Sequence, residues 1–142
     1  MKRNLTFITD AGHGWLSVSH KDLISLNIVD QISHCSYISP TRAYLEEDLD
    51  ASIFLNAAKA AGWTIETRST YSDHWKGREW PSYNPYFILN RFQSGLRVAI
   101  NGKHNATVKE NGKSYLLETD LGQTYRMYKT NPLIGLSQPT GE

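Results

Sequence analysis

A chain of 142 residues, 39% apolar and 20% charged, suits one domain that removes roughly two thirds of its unfolded surface from water, which excludes disordered and fibrous classes. The net charge is only +1, yet residues 1–64 carry five Lys/Arg against seven acids, residues 65–142 ten against seven, and residues 68–113 eight against three, so an acidic face is expected early and a basic one late. No apolar run nears the ~20 residues of a membrane span, the start Met1-Lys2-Arg3-Asn4-Leu5-Thr6-Phe7 lacks a signal-peptide core, and the single Cys35 permits no internal disulfide or cysteine-rich zinc site.

Leu5, Phe7 and Ile8 predict a first strand, reversed by the glycine-flanked turn at 10–14 into a second around Trp15 to Val18. Ser19 followed by Asp22 is a capping-box-like start for a short helix over about 20–26. An extended stretch, His34 to Ile38, then turns at Pro40-Thr41 into Ala43-Tyr44-Leu45, a candidate paired strand. The main helix is predicted over about 49–61: Asp48 or Asp50 caps it, Ile53, Phe54, Ala57, Ala58 and Ala61 line its apolar face, and Gly62 stops it. Trp63 to Arg68 alternates with period two and leaves the helix as a strand.

Residues 71–86 have no period; Tyr71, Trp75, Trp80, Tyr83 and Tyr86 interleave there with His74, Lys76, Arg78 and two prolines. A loop of that length inside a compact domain is usually functional, and the aromatics argue for packing. A short helical turn is expected at 87–92. From about 96 to 128, strand-like runs separated by Asn101-Gly102, Asn111-Gly112 and Asp120 to Gly122 predict a four-strand meander. The expected fold is α+β, one main helix on an antiparallel sheet, with a single domain over 1–130 and a loosely tied tail over 131–142 rich in Pro, Gly, Ser and Thr.

Three stretches invite a functional reading. In Thr9-Asp10-Ala11-Gly12-His13-Gly14-Trp15, His13 beside Asp10 is a candidate general base or metal ligand. The plainer reading, a glycine turn closed by an Asx-turn at Asp10, explains the same residues without chemistry and is preferred. Glu46 and Asp48 share one side of a strand end, a spacing suited to an oxygen-ligated cation or paired acid and base, but carboxylates also gather where a helix begins. The third, the aromatic and basic loop, offers Tyr71, Trp75, Lys76, Arg78, Trp80 and Tyr83, with Arg91 beyond them, as a binding surface. Cations among planar faces suit stacking on bases or anchoring at a protein interface. Its alternative is a plug of Trp75, Trp80 and Tyr83 over the core with Lys76 and Arg78 solvated. No P-loop, EF-hand, G-x-S-x-G, H-E-x-x-H or C-x-x-C pattern occurs.

The segments "TDAGHGWL", "ISHCSYIS" and "AYLEEDLDASIFLNAA" resemble small proteins of bacteriophages and other mobile elements in which a GHGWL-like turn precedes a YLEED-like helix start. The resemblance spans about residues 6–62, brings no catalytic residue, and implies a setting in the cytoplasm of a bacterial host. Small accessory proteins of that setting often bind and block a host machine. The favoured reading is therefore a non-enzymatic protein that binds and inhibits a host protein or, less favoured, nucleic acid, with no cofactor, no metal and no membrane partner. Its rival is a metal-assisted hydrolase or nuclease using His13 with Asp10 or with Glu46 and Asp48. Self-association through an unpaired edge of the C-terminal meander is a further expectation.

Overall fold

The computed structural model describes residues 1–85, 88, 94–100, 103–112, 114–128 and 136–137. The chain is α+β and divides into two compact units, Met1–Tyr83 and Asn84–Glu142, each holding its own five-stranded sheet. Each sheet gathers buried residues of its own. No helix among the described residues is long and apolar enough to cross a membrane.

In the first unit the hairpin forms as expected from β1 (Lys2–Thr9) and β2 (Gly14–Ser19), with Phe7 opposite Leu16 and Ile8 opposite Trp15. Ser19 caps α1 (His20–Ser25), its hydroxyl accepting the Asp22 N–H at 3.1 Å. The extended stretch narrows to β3 (Tyr37–Ile38), which pairs with β4 (Arg42–Glu46). Helix α2 (Asp50–Ala60) follows, and Gly62, at φ +80°, takes the left-handed turn that ends it. Strand β5 (Thr64–Tyr71) completes the sheet, in the order β3-β4-β2-β1-β5.

Two expectations are corrected here. Strand β5 pairs with β1 in parallel over its whole length, from Lys2 opposite Thr64 to Thr9 opposite Tyr71, so the first sheet is mixed and not wholly antiparallel. The physical reason is the helix: α2 carries the chain from the end of β4 back to the end where β4 began, so the next strand enters running the same way. The capping of α2 also differs. Neither Asp48 nor Asp50 caps it; the Glu46 carboxylate accepts the N–H groups of Asp48 and Leu49 at 2.9 and 3.1 Å. Asp50 turns inward instead, accepting the N–H and hydroxyl of Ser33 and the hydroxyl of Ser36.

One face of the sheet carries the core. Leu5, Leu16, Val18, Ile38, Ala43 and Leu45 are buried together with Leu23 of α1 and Ala51, Phe54 and Ala58 of α2. Yet β2 is buried at every position from Gly14 to Val18, not at alternate ones. Its second face is covered too, and that cover is the candidate site.

The second unit holds the meander: β6 (Arg97–Ile100), β7 (His104–Asn111), β8 (Ser114–Thr119) and β9 (Thr124–Tyr128), paired antiparallel in sequence order. Val98, Ile100, Ala106, Val108, Tyr115, Leu117 and Met127 cluster as its core. Beyond the meander, β10 (Leu136–Ser137) pairs with β6, so these two residues of the expected tail belong to the sheet. The rest of that tail, the first Asn-Gly turn and most of the helical turn expected at 87–92 lie outside the described residues.

Candidate functional site

Residues two apart on a strand share a face. Trp15 and Ser17 therefore stand opposite to Leu16 and Val18 on β2, and the register places Tyr44 against Ser17 and Tyr37 against Tyr44. Three rings thus gather on the face that the helices leave uncovered. After β5, the loop lays Trp75 onto them: its ring centroid is 4.4 Å from Trp15, 5.2 Å from Tyr44 and 6.1 Å from Tyr37. Edge and tilted packings at these separations are the favoured ones for aromatic pairs.

The chain fits around that ring only because the next turn begins with little side chain. The backbone of Gly77, in the 3-10 turn Lys76–Glu79, crosses the Trp75 indole so closely that a Cβ there would lie 1.8 Å from Cζ2. Arg78 then reaches back over the sheet. Its guanidinium lies 4.8 Å from the Trp15 ring centroid and pairs with the Asp10 carboxylate at 2.8 Å. The other Asp10 oxygen accepts the backbone N–H groups of Gly12 and His13 at 3.0 and 2.9 Å. Hydrogen bonds from the Gly12 and His13 backbone and from Arg78 hold this carboxyl down at about 2.

The far end of the loop is fastened as well. Ile38 N–H donates to the Pro81 carbonyl and Tyr83 N–H to the Ser36 carbonyl, so residues 81–83 run along β3 and cover that edge of the sheet. Tyr83 is 5% exposed and its hydroxyl donates to the Val29 carbonyl at 2.7 Å. Burial, reinforced by Asp30 and Asp50, pushes its ionisation well above the ordinary phenol value. Ser36 ties this edge to α2: its hydroxyl accepts the Glu46 N–H at 2.9 Å while donating to Asp50.

The predicted binding residues therefore separate. Tyr83 is a buried anchor, and Trp75 and Trp80 are half-buried. Tyr71 ends β5, 63% exposed, with its hydroxyl donating to Asp73. Lys76 is exposed, while the charge of Arg78 is met by Asp10 although its side chain stays 44% exposed. Arg91 lies outside the described residues. Residues 71–83 carry two cations, Lys76 and Arg78, and two acids, Asp73 and Glu79, so the stretch is mixed in sign and not a basic stripe.

The residues singled out for chemistry are not brought together as a catalytic group. His13 is exposed at the turn, its ring 6.1 Å from Trp15, and Asp10 accepts its backbone N–H. Glu46 closes the entry to α2, and Asp48 is exposed. His20, whose Nε2 lies 3.0 Å from the Arg42 carbonyl, is held below the ordinary imidazole value by burial. Among the described residues no group of three His, Cys, Asp or Glu side chains suits a metal ion.

Sequence reading passed over the platform itself: Trp15, Tyr37 and Tyr44, and the role of Gly77. Trp15 directly beside Leu16 breaks the apolar-polar alternation of β2 and is the one local mark of a second covered face, but only strand order says that Tyr44 and Tyr37 share it. Compared with models of known protein families, with curated proteins and with solved structures, the chain finds no match, so its own geometry carries the functional reading.

Proposed function

We propose that this chain is a binding protein of bacteriophage or mobile-element type, acting in the bacterial cytoplasm to bind and inhibit a host protein through Tyr71, Trp75, Lys76, Arg78 and Trp80. The observation that supports it is the half-exposed Trp75 on a preformed bed of Trp15, Tyr37 and Tyr44, strapped by Arg78 and Asp10. An aromatic anchor already fixed in one rotamer loses little conformational freedom on binding, and Trp, Tyr and Arg are the residue types that dominate protein interfaces. The mixed charge of the loop favours a protein over nucleic acid, whose backbone calls for several unpaired cations.

The test is capture from bacterial lysate with and without nuclease, followed by affinity measurement on the purified partner. Tyr71→Ala, Lys76→Glu and Trp80→Ala alter the rim and leave the Trp75 bed in place. Each is expected to leave the protein folded, and together they should weaken binding at least tenfold, about 1.4 kcal/mol. Nuclease-sensitive capture with steep salt dependence would redirect the reading to nucleic acid, and capture indifferent to all three substitutions would end it.

A further inference from the structure

The two edges of the first sheet are treated differently. The short β3 edge is covered by residues 81–83. The opposite edge is β5, eight residues long, regular along its pairing with β1, and exposed at every position but the half-buried Ile65. Among the described residues no strand pairs with its outer side. It carries no proline or bulge to stop it templating another strand, and its two charges, Glu66 and Arg68, are of opposite sign and so can be met by a partner strand.

The direction of its free backbone groups can be read from its ends. Thr64 N–H donates to the Met1 carbonyl and Ser72 N–H to the Thr9 carbonyl, while Thr9 Oγ1 donates to the Thr70 carbonyl. Even-numbered residues therefore bond inward to β1, and Ile65, Thr67, Ser69 and Tyr71 present N–H and C=O outward. A second β5 approaching antiparallel about a two-fold axis at Thr67 matches this parity. Thr67 then exchanges hydrogen bonds with Thr67 of the other copy, and Ile65 with Ser69.

The intervening residues fall in non-hydrogen-bonded pairs, where side chains approach most closely. In this register Glu66 faces Arg68 of the second copy, and Arg68 faces its Glu66. Shifting to either adjacent register of the same parity sets Glu66 against Glu66 or Arg68 against Arg68. Both charges are exposed; Glu66 has Lys2 at 3.4 Å on its own sheet, and Arg68 has no partner among the described residues. We infer that β5 is a self-association edge, by which two copies of this chain join their first sheets antiparallel, with Glu66 and Arg68 selecting the register. This inference does not rest on the loop reading, and it moves the expected self-pairing edge from the meander to β5. The meander's β9 is shorter, at five residues.

Sedimentation equilibrium of the full chain over a concentration series tests it. Wild type is expected to dimerise. Glu66→Arg and Arg68→Glu each set like charges opposite one another and should weaken the dimer roughly tenfold. A 1:1 mixture of the two variants restores both opposite-charge pairs and should dimerise as wild type does. Thr67→Pro removes an outward N–H and leaves the bonds to β1, so it should abolish the dimer with the circular dichroism unchanged. A wild type that stays monomeric at the highest concentration it reaches overturns the inference. So does a dimer that survives Thr67→Pro, or singly charged variants whose mixture behaves no better than either alone.

Discussion

Gly77→Ala is the sharpest perturbation of the aromatic platform. The added Cβ would lie 1.8, 2.1 and 2.4 Å from Cζ2, Cε2 and Cη2 of Trp75, against ordinary carbon contacts of about 3.5–4.0 Å. Gly77 is not among the glycines with positive φ, so alanine adds no backbone strain, and its whole effect is steric. The indole must leave its bed, losing ring pairs with Trp15, Tyr44 and Tyr37. At roughly 0.5–1.5 kcal/mol for each pair, the loss is about 2–4 kcal/mol. Trp75→Ala should cost about the same, because it empties the same bed. The double variant should then cost no more than either single one, since the clash vanishes with the ring. Urea unfolding monitored by circular dichroism and by tryptophan fluorescence measures this cycle, and all four tryptophans lie within residues 1–83. Additive costs, or a Gly77→Ala variant within about 0.5 kcal/mol of wild type, would refute the packing argument.

Ser36→Ala should destabilise the first unit by about 1–3 kcal/mol in urea titration, because it strips a hydroxyl that serves both the Glu46 N–H and the Asp50 carboxylate; no change would mean that water serves both as well. Tyr83→Phe should cost about 1 kcal/mol by leaving the Val29 carbonyl without its 2.7 Å donor, with the ring still buried. Asp10 binds its proton less readily folded than unfolded, so the stability it contributes is full above the ordinary value of 3.8 and is lost as pH falls toward about 2. Carboxyl NMR titration should place its midpoint near 2, and Asp10→Asn should flatten the acid limb of stability; a midpoint at 3.8 would show that the turn and Arg78 do not hold it.

Local signals are legible in this sequence. The Ser19 cap, the Gly62 stop and the alternating runs of the meander appear where residue chemistry put them, because each is decided within a few residues. The glycine turn at 10–14 also has the Asx-type bonds expected of Asp10. What depended on distant partners was not legible. Asp50 looked like a cap, but Ser33 and Ser36 draw it inward from another loop. Arg78 looked like a free cation until the fold brought Asp10, far earlier in the chain, to 2.8 Å. Tyr37 and Tyr44 carried no mark of a shared face, since that follows from strand order. The parallel entry of β5 was hidden for the same reason.

That parallel entry also governs how the first unit comes into being. Strand β1 carries Leu5, Phe7 and Ile8, and its partner on one side, β2, is its immediate neighbour in sequence. Its partner on the other side arrives about sixty residues later, and closing so large a loop makes formation of that pairing slow relative to the hairpin. Until then β1 is itself the open border of a growing sheet, apolar and ready to pair with a neighbouring chain. The arrival of β5 exchanges that border for a more polar one, mostly threonine, serine and two opposite charges, with Ile65 half-buried and Tyr71 at its end. The step that finishes the sheet is thus also the one that ends its most aggregation-prone stage.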